Sequence, residues 1–371
     1  MTEDMIIGFD AKRIVSNGTG LGSYGRTLIN DLAQDDTLSL RLYAPNPGRA
    51  NLREQVIERP NVTFCYPGQG LSGLRAAIWR SRGITNDLKR DGVQLYHGLS
   101  GELPINISKS GIKSIVTIHD LIFLRHPEFY NWIDVKIYAW KFRQTIREAS
   151  HIVAISECTK RDIIELGGVD ESRISLVYQS CSPKFQRSVS TSRDGLPSRY
   201  ILNVGTIERR KNILLAVKAL PFLPEDLSLV IIGRHTPYAD EVKAYAKKHG
   251  LEHRVIMLHA VTNPELVPYY ANAEAFVYPS VYEGFGIPII EAISSGLPVV
   301  ACTGSCLEEA GGPDSFYVAP DDVEGMAHAI MSTLHGAEGR EQRIERSMQY
   351  IKRFQGNSVA SQMADIYRNL I

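Results

Sequence analysis

Tyr200-Ile-Leu-Asn-Val-Gly-Thr-Ile-Glu-Arg-Arg-Lys-Asn-Ile-Leu-Leu-Ala-Val-Lys-Ala-Leu220 is the stretch on which the reading of the fold turns. A short apolar run, Tyr200–Val204, stops at Gly205, a charged loop follows, and from Ile213 to Leu220 apolar residues recur at helical spacing. Strand, loop and helix in that order form half of a βαβ unit, which buries its strand on both faces of a parallel sheet. The same alternation runs through the chain. Apolar, β-rich runs precede this stretch at Met5–Phe9, Leu38–Tyr43, Val62–Cys65, Val93–His97, Ser114–Ile118, His151–Ile155 and Ile174–Tyr178. Others follow it at Leu227–Ile232, Arg254–Leu258, Ala275–Tyr278, Leu297–Ala301 and Ser315–Val318. Amphipathic segments separate them, so the expectation is an α/β protein with two parallel sheets.

Two sheets of this size imply two domains. Ser182 to Arg199 is rich in Ser, Arg and Pro and lacks periodicity, which makes 183–199 the expected linker between a domain over 1–182 and one over 200–350. The tail carries Ile344, Met348 and Ile351, then Met363, Ile366, Tyr367 and Leu370, at helical spacing on either side of Gly356. Two helices with a break at Gly356 are expected there.

With 371 residues, the chain can bury a large core, and its 41 basic and 41 acidic side chains cancel. A neutral balance provides no chain-wide field for nucleic acid, so none is expected as a partner. Met1-Thr2-Glu3-Asp4 places acids where a secretory signal needs base, and no run reaches the roughly 18 apolar residues of a membrane span. A cytoplasmic location is the expectation. Five scattered cysteines suit a reducing compartment, and Cys302 and Cys306 lack a second pair to complete a zinc tetrahedron, so they read as buried thiols.

Four segments carry candidate chemistry. In Glu208-Arg209-Arg210-Lys211, three cations follow a parallel strand, where open α/β sheets bind ligands. Cations in a first helical turn oppose the macrodipole by roughly 0.3–1 kcal/mol each, which calls for an anion such as a diphosphate, although a solvated turn is the simpler alternative. In Tyr278-Pro-Ser-Val-Tyr-Glu283-Gly-Phe-Gly-Ile-Pro288-Ile-Ile-Glu291, a strand runs through a glycine loop into a helix whose first turn holds Pro288. Glu283 on the loop and Glu291 on the helix could accept hydrogen bonds from sugar or ribose hydroxyls, or could serve only the helix end. Gly18-Thr-Gly20-Leu-Gly22-Ser-Tyr24-Gly25, before a helix expected over 24–32, matches G-x-G-x-x-G literally but lies too far from its strand and lacks the acid expected after the next strand. A ligand-facing loop and a plain turn both remain open. In Thr117-Ile-His119-Asp120, the histidine could meet a ligand or move a proton, with Asp120 setting its tautomer or capping the next segment. His97 at a similar strand end shows that position alone does not decide.

Phosphate-loop, nucleophile-elbow, zinc-helix and D-x-D patterns are all missing, so charge neutralisation by Arg and Lys rather than by a metal ion is expected. Residues 123–147 interleave Phe123, Phe129, Tyr130, Trp132, Tyr138, Trp140 and Phe142 with Arg125, Lys136, Lys141, Arg143 and Arg147. Arg75, Trp79, Arg80 and Arg82 repeat the mixture on a smaller scale. Such mixtures suit an anionic bilayer surface, or equally an amphipathic helix with one buried stripe.

Together these residues resemble the family-4 retaining glycosyltransferases of the GT-B fold. The marks are Glu283 and Glu291 with seven residues between them, Val204-Gly-Thr-Ile-Glu-Arg-Arg210-Lys211-Asn-Ile, Gly20-Leu-Gly-Ser-Tyr24, Ile118-His119-Asp120-Leu121 and Ile155-Ser-Glu-Cys-Thr159-Lys160. The resemblance implies two Rossmann-like domains facing across a cleft, with a C-terminal helix over 351–371 returning to the first domain. The implied reaction is transfer of a hexose from a nucleotide-diphosphate sugar, GDP-mannose-like ahead of UDP-sugar, to a glycan or lipid-linked acceptor in polysaccharide synthesis. It implies that Arg210 and Lys211 hold the diphosphate and that Glu291 takes the ribose. Glu283, with Gly284, Phe285, Gly286 and Ile287, would hold the donor sugar, which His119 would also meet. Gly20, Gly22 and Gly205 would border the phosphates, and Gly233 and Val261 the base. Arg209 stands where the family often has Pro and has no implied role. A sugar-nucleotide epimerase and a non-catalytic nucleotide-sugar binding subunit are the rival readings. Lipid-linked acceptors would bring the protein to the inner face of a membrane.

Overall fold

The computed structural model describes residues 5–68, 70–181, 185, 195–261, 263–354 and 357–371. The chain divides into two compact units, Met1–Ser180 with Phe354–Ile371, and Cys181–Arg353. Most of the segment 183–199, and the break at Gly356, lie outside the described residues. Phe185 packs edge-on against Tyr270, and the first strand of the second unit already begins at Arg199.

The first unit holds β1 (Met5–Asp10), β2 (Leu38–Tyr43), β3 (Val62–Cys65), β4 (Leu95–Gly98), β5 (Lys113–Ile118), β6 (His151–Ala154) and β7 (Ile174–Leu176). They form one parallel sheet in the order β3-β2-β1-β4-β5-β6-β7. Alternate residues of each strand enter cores on opposite faces of the sheet, as a pleat buried on both sides requires. Ile115 and Val153 pack with Ile7, Phe9 and Leu28, whereas Val116, Ile152 and Ala154 pack with Leu88, Phe142 and Ile163. The helix Asn357–Leu370 adds Val359, Ala360, Met363, Ala364 and Tyr367 to the first of these cores, on one face at spacings of three to four. Before it, Arg340–Tyr350 is helical, and Ile351–Phe354 forms a short 3-10 turn.

The helix that follows β1 runs Gly20–Leu32, starting four residues before the expected Tyr24. The reason lies in packing. A Cβ at Gly22 would stand 1.9 Å from the Asn17 carbonyl oxygen, so glycine there lets the helix begin against the preceding turn instead of forming the turn itself.

The second unit holds β8 (Arg199–Val204), β9 (Leu227–Ile232), β10 (Val255–Leu258), β11 (Ala275–Tyr278), β12 (Val299–Cys302) and β13 (Phe316–Val318), parallel in the order β10-β9-β8-β11-β12-β13. All six residues of β9 are buried. In both sheets the order reverses beside the first strand, between β1 and β4 and between β8 and β11. Such a reversal opens a crevice at the carboxyl ends of the strands, because successive crossovers leave on opposite faces. All five cysteines are free thiols, four of them buried.

Candidate active site

The reversal in the second sheet brings the loop after β8 against the loop after β11. Arg209–Lys211 forms a 3-10 turn, and Asn212 follows in the left-handed conformation at φ 50°, its side chain donating to the Pro320 carbonyl at 2.8 Å. The cations therefore precede the helix Ile213–Ala219 and do not occupy its first turn, which removes the macrodipole argument for an external anion. Acids of the chain itself compensate them. Arg209 turns away to Glu241, its Nη2 at 2.8 Å from both carboxylate oxygens. Arg210 points inward and donates through Nη2 to Glu208 at 2.7 Å and through Nη1 to the Tyr282 carbonyl at 2.7 Å, with Nη1 also 2.8 Å from Glu283 Oε2. Lys211 Nζ donates to the Tyr278 hydroxyl at 2.6 Å and to Glu283 Oε1. The two loops are also joined through their backbones, Val281 N donating to the Arg210 carbonyl at 2.9 Å.

Electrostatics follow from that geometry. Burial alone would raise the Glu283 carboxyl, but the Lys211 ammonium and Arg210 guanidinium beside it hold it down at about 2. Burial works against the Lys211 ammonium, and Glu283 more than offsets it, so Lys211 is raised. Burial and the Glu283 charge push the Tyr278 hydroxyl up to about 12, leaving it neutral and able to accept from Lys211.

After Glu283 the chain passes Phe285, 3% exposed, and reaches Gly286, which caps the helix Ile287–Ser294 at φ 127°, backbone that favours glycine. Glu283 therefore does not cap that helix. The Cys306 thiol donates to the carbonyls of Glu283 and Phe285 at 3.1 and 2.8 Å and fixes the loop from behind. Glu291, one turn into the helix, accepts from the Tyr270 hydroxyl at 3.0 Å. At the end of β9, a Cβ on Gly233 would fall 1.7 Å from the Gly205 carbonyl oxygen, so close approach of the two strand ends dictates glycine there. His259 Nδ1 donates to the Gly233 carbonyl at 2.8 Å, and Ala260, at φ 61°, turns the chain into Val261.

In the first unit, His119 follows β5 with both ring nitrogens engaged. Nε2 lies 2.8 Å from the Leu99 carbonyl, which can only accept, so Nε2 carries the proton and Nδ1 accepts from the Gln179 amide at 2.8 Å. Burial lowers its pKa to about 4, so the ring is neutral near pH 7. Tyr24 meets it edge-on at 4.8 Å and shares a hydrogen bond with Thr117, which His97 also contacts at 2.8 Å. His97, fully buried, joins the C-terminal helix through the Tyr367 hydroxyl at 2.7 Å. Asp120 accepts from Ile122 N at 3.2 Å and so caps the next segment, leaving the tautomer to Leu99 and Gln179. Gly20 stands exposed at the start of its helix, with open space where a Cβ would be.

The aromatic and basic residues divide between two faces of the helix Trp132–Glu148. Ala139, Phe142 and Thr145 are buried, whereas Trp132 (65%), Trp140 (56%), Ile133 and Ile137 are exposed along with Lys136, Lys141 and Arg143. The smaller mixture is rearranged. Trp79 is buried with its indole on Asp87, and Arg80 pairs with Asp10 and Glu102, so Leu74 and Ile78 are the exposed apolar residues there. Among the described residues no helix is long and apolar enough to cross a membrane.

The sequence reading missed Tyr278, Glu208, Tyr270, Cys306 and Gln179. Tyr278 ends an apolar strand, where a hydroxyl marks the crevice side; the others carry no local signal.

Comparison with known proteins places this geometry in context. The family model described as Glycosyltransferase Family 4 matches residues 18–183, and the model described as Glycosyl transferases group 1 matches 189–350. The O-antigen chain mannosyltransferase B of Escherichia coli is 29% identical over 287 residues, 74% of this chain and 74% of that protein. The O-antigen chain mannosyltransferase RfbU of Salmonella typhimurium is 28% identical over 241 residues, 64% of this chain and 65% of that one. Among solved structures, sucrose-phosphate synthase from Thermosynechococcus elongatus superposes with a TM-score of 0.77 at 20% identity, over 98% of both chains. The Anabaena protein HepE, in complex with UDP and glucose, gives 0.73 at 16% identity over 99% of this chain and 100% of its own. At those identities the likeness establishes the GT-B class of fold and no more. The two family models meet within a few residues of each other and between them take in both doubly wound sheets, so the chain belongs to the glycosyltransferases, with a family 4 first part and a group 1 second part.

Proposed function

We propose that the protein transfers a hexose, with retention at the anomeric carbon and without a metal ion, from a nucleoside-diphosphate sugar to a glycan or lipid-linked acceptor. A GDP-mannose-like donor is preferred to a UDP-sugar because the relatives above are named as O-antigen mannosyltransferases. One observation carries the reading. Arg210, Lys211 and Glu283 meet at the carboxyl ends of β8 and β11, where a doubly wound sheet binds ligands and where fixed cations suit a diphosphate.

In this reading the C1–oxygen bond of the donor breaks, and the electron pair passes to the diphosphate. Arg210 and Lys211 stabilise that charge without having to reorganise in the act. The acceptor hydroxyl attacks C1 from the leaving-group face, and its proton passes to a phosphate oxygen, giving the glycoside and the nucleoside diphosphate. Glu291 is assigned to the ribose, and the loop 283–287 to the sugar. Gly20, Gly22 and Gly205 are assigned to the phosphates, and Gly233 and Val261 to the base. His119 is assigned to the sugar as a neutral group, not as a base. Trapping a glycosylated Asp or Glu would contradict same-face attack.

Thermal denaturation with GDP-mannose and UDP-glucose tests the donor, since a ligand at 100 times its Kd stabilises by about 2.7 kcal/mol. Stabilisation by neither sugar nucleotide sinks the reading. Consumption of donor without acceptor would favour an epimerase instead. Binding with no turnover across an acceptor panel would favour a non-catalytic subunit.

The proposal extends to peripheral contact with the inner face of an anionic membrane through Trp132, Trp140, Ile133 and Ile137, with Lys136 and Arg143 beside them. Each cation near such a surface contributes about 1 kcal/mol, and exposed aromatic rings suit the headgroup level.

A further inference from the structure

Glu283 occupies a position that holding a sugar does not explain. One carboxylate oxygen is on Lys211 and the other on Arg210, and Glu208 takes the remaining side of the same guanidinium. Two cations and two carboxylates sum to zero. The side chains of Glu283 and Lys211 are each 11% exposed, so water does little to screen the pair. A diphosphate approaching this cluster meets no net positive charge, and the N–H groups it needs already donate to a carboxylate. Meanwhile the loop backbone is pinned by Cys306, so a change of partner has to come from the Glu283 side chain.

We propose that the Glu283 carboxylate is an internal stand-in for the donor's diphosphate. It holds Arg210 and Lys211 in place while the site is unliganded, leaves at least Lys211 when the diphosphate arrives, and only then accepts the hydroxyls of the donor sugar. The inference rests on the assignment of Arg210 and Lys211 to the diphosphate and adds a direction to the cycle. An intact donor repays the displaced carboxylate with sugar hydroxyls, whereas a nucleoside diphosphate does not. The site therefore binds donor more tightly than the diphosphate left after transfer, and the returning carboxylate helps to expel that product. Glu283 thus sets the preference of the site for loaded over spent nucleotide.

Titration calorimetry on the full chain tests this with GDP, UDP, GDP-mannose and UDP-glucose. Glu283→Gln keeps the shape and removes the competing charge. For whichever nucleotide binds, the variant is expected to take the nucleoside diphosphate about tenfold more tightly than wild type, equivalent to about 1.4 kcal/mol, while its preference for the intact donor shrinks. Equal or weaker diphosphate binding by the variant overturns the inference, because a carboxylate that only positions the cations would be missed. If wild type and variant both ignore every nucleotide, the diphosphate assignment fails and takes the inference with it. Should Glu283→Gln not fold, a crystal of wild type soaked in inorganic pyrophosphate decides. Glu283 swung away from Lys211 supports the exchange, and pyrophosphate bound beside two intact Glu283 pairs refutes it.

Discussion

Lys211→Ala probes the proposed chemistry most directly, and the structure allows its cost to be divided. In the free protein the substitution removes one of two cations from a buried carboxylate. Losing the only partner of a buried charge costs about 3–5 kcal/mol, but Arg210 stays 2.8 Å from Glu283, so one charge-assisted hydrogen bond, about 1.5–3 kcal/mol, is the appropriate loss. In the donor complex a second contact of that class disappears, which weakens the Kd by roughly 10- to 150-fold. In the transition state the leaving diphosphate loses a fixed donor, and removal of one such donor lowers kcat by about 10²–10³. Calorimetry, initial rates at saturating donor and urea denaturation measure the three quantities separately. Lys211→Arg keeps the charge and should recover part of the binding. Arg209→Ala is the control, because an exposed pair such as Arg209–Glu241 contributes about 0.2–1 kcal/mol and faces away from Glu283. Donor binding and turnover within twofold of wild type in Lys211→Ala would refute the assignment of the cations.

Acid should destabilise the first unit through its buried histidines. Burial, with a smaller effect from the His119 charge, lowers His97 to about 3, so between an unfolded value near 6.5 and that figure only the unfolded chain takes up the proton; stability is complete above about pH 6.5, falls as pH drops toward 3, and loses at most about 5 kcal/mol, 3.5 units at 1.36 kcal/mol each, from His97. Urea midpoints at pH 7.5 and 5 check this, and a His97→Asn variant with undiminished pH dependence would contradict it. Gly233→Ala forces a methyl against the Gly205 carbonyl, a backbone atom that cannot rotate aside, and should cost about 3 kcal/mol together with nucleotide binding; a denaturation midpoint equal to wild type would show that the strand ends can part freely. Trp132→Ala with Trp140→Ala should lower partitioning onto vesicles containing phosphatidylglycerol about tenfold or more while leaving neutral vesicles unaffected, and unchanged sedimentation in both removes the membrane assignment.

The strands were legible because parallel strands buried on both faces read as unbroken apolar runs. Leu38–Tyr43, Val62–Cys65, Leu227–Ile232 and Ala275–Tyr278 have the same limits in sequence and structure. Helix starts were less legible where glycine had two uses. Gly20 and Gly22 read as loop, yet Gly22 lies inside a helix because its missing Cβ makes room for Asn17. The residue types at the crevice could be read from strand ends, but their pairing could not. Nothing local distinguishes Arg209, which turns to Glu241, from Arg210, which turns to Glu283, because register between two loops more than 70 residues apart settles it. Composition also misled at Trp79, whose neighbouring arginines suggested a surface although its indole has a buried partner in Asp87.

Two sheets with the same reversal of strand order, each with its own crevice, hold different chemistry at the ends of their strands. Beneath the ends of β4 and β5 the groups are neutral and locked: His97 between Tyr367 and Thr117, and His119 between the Leu99 carbonyl and Gln179. The charges nearby, Asp10, Arg80, Glu102 and Lys141, close on one another from helix and strand ends. Freeing a donor there would strand a buried acceptor, at about 1–3 kcal/mol for each group left unpaired. At the ends of β8 and β11 the balance is also closed, but it is closed by one glutamate on a loop. Rotation of that single side chain exposes two cations, and an arriving anion supplies the partner they lose. Topology fixes where a ligand could lie in either unit, and only the second keeps its charge in a form that a ligand can exchange for.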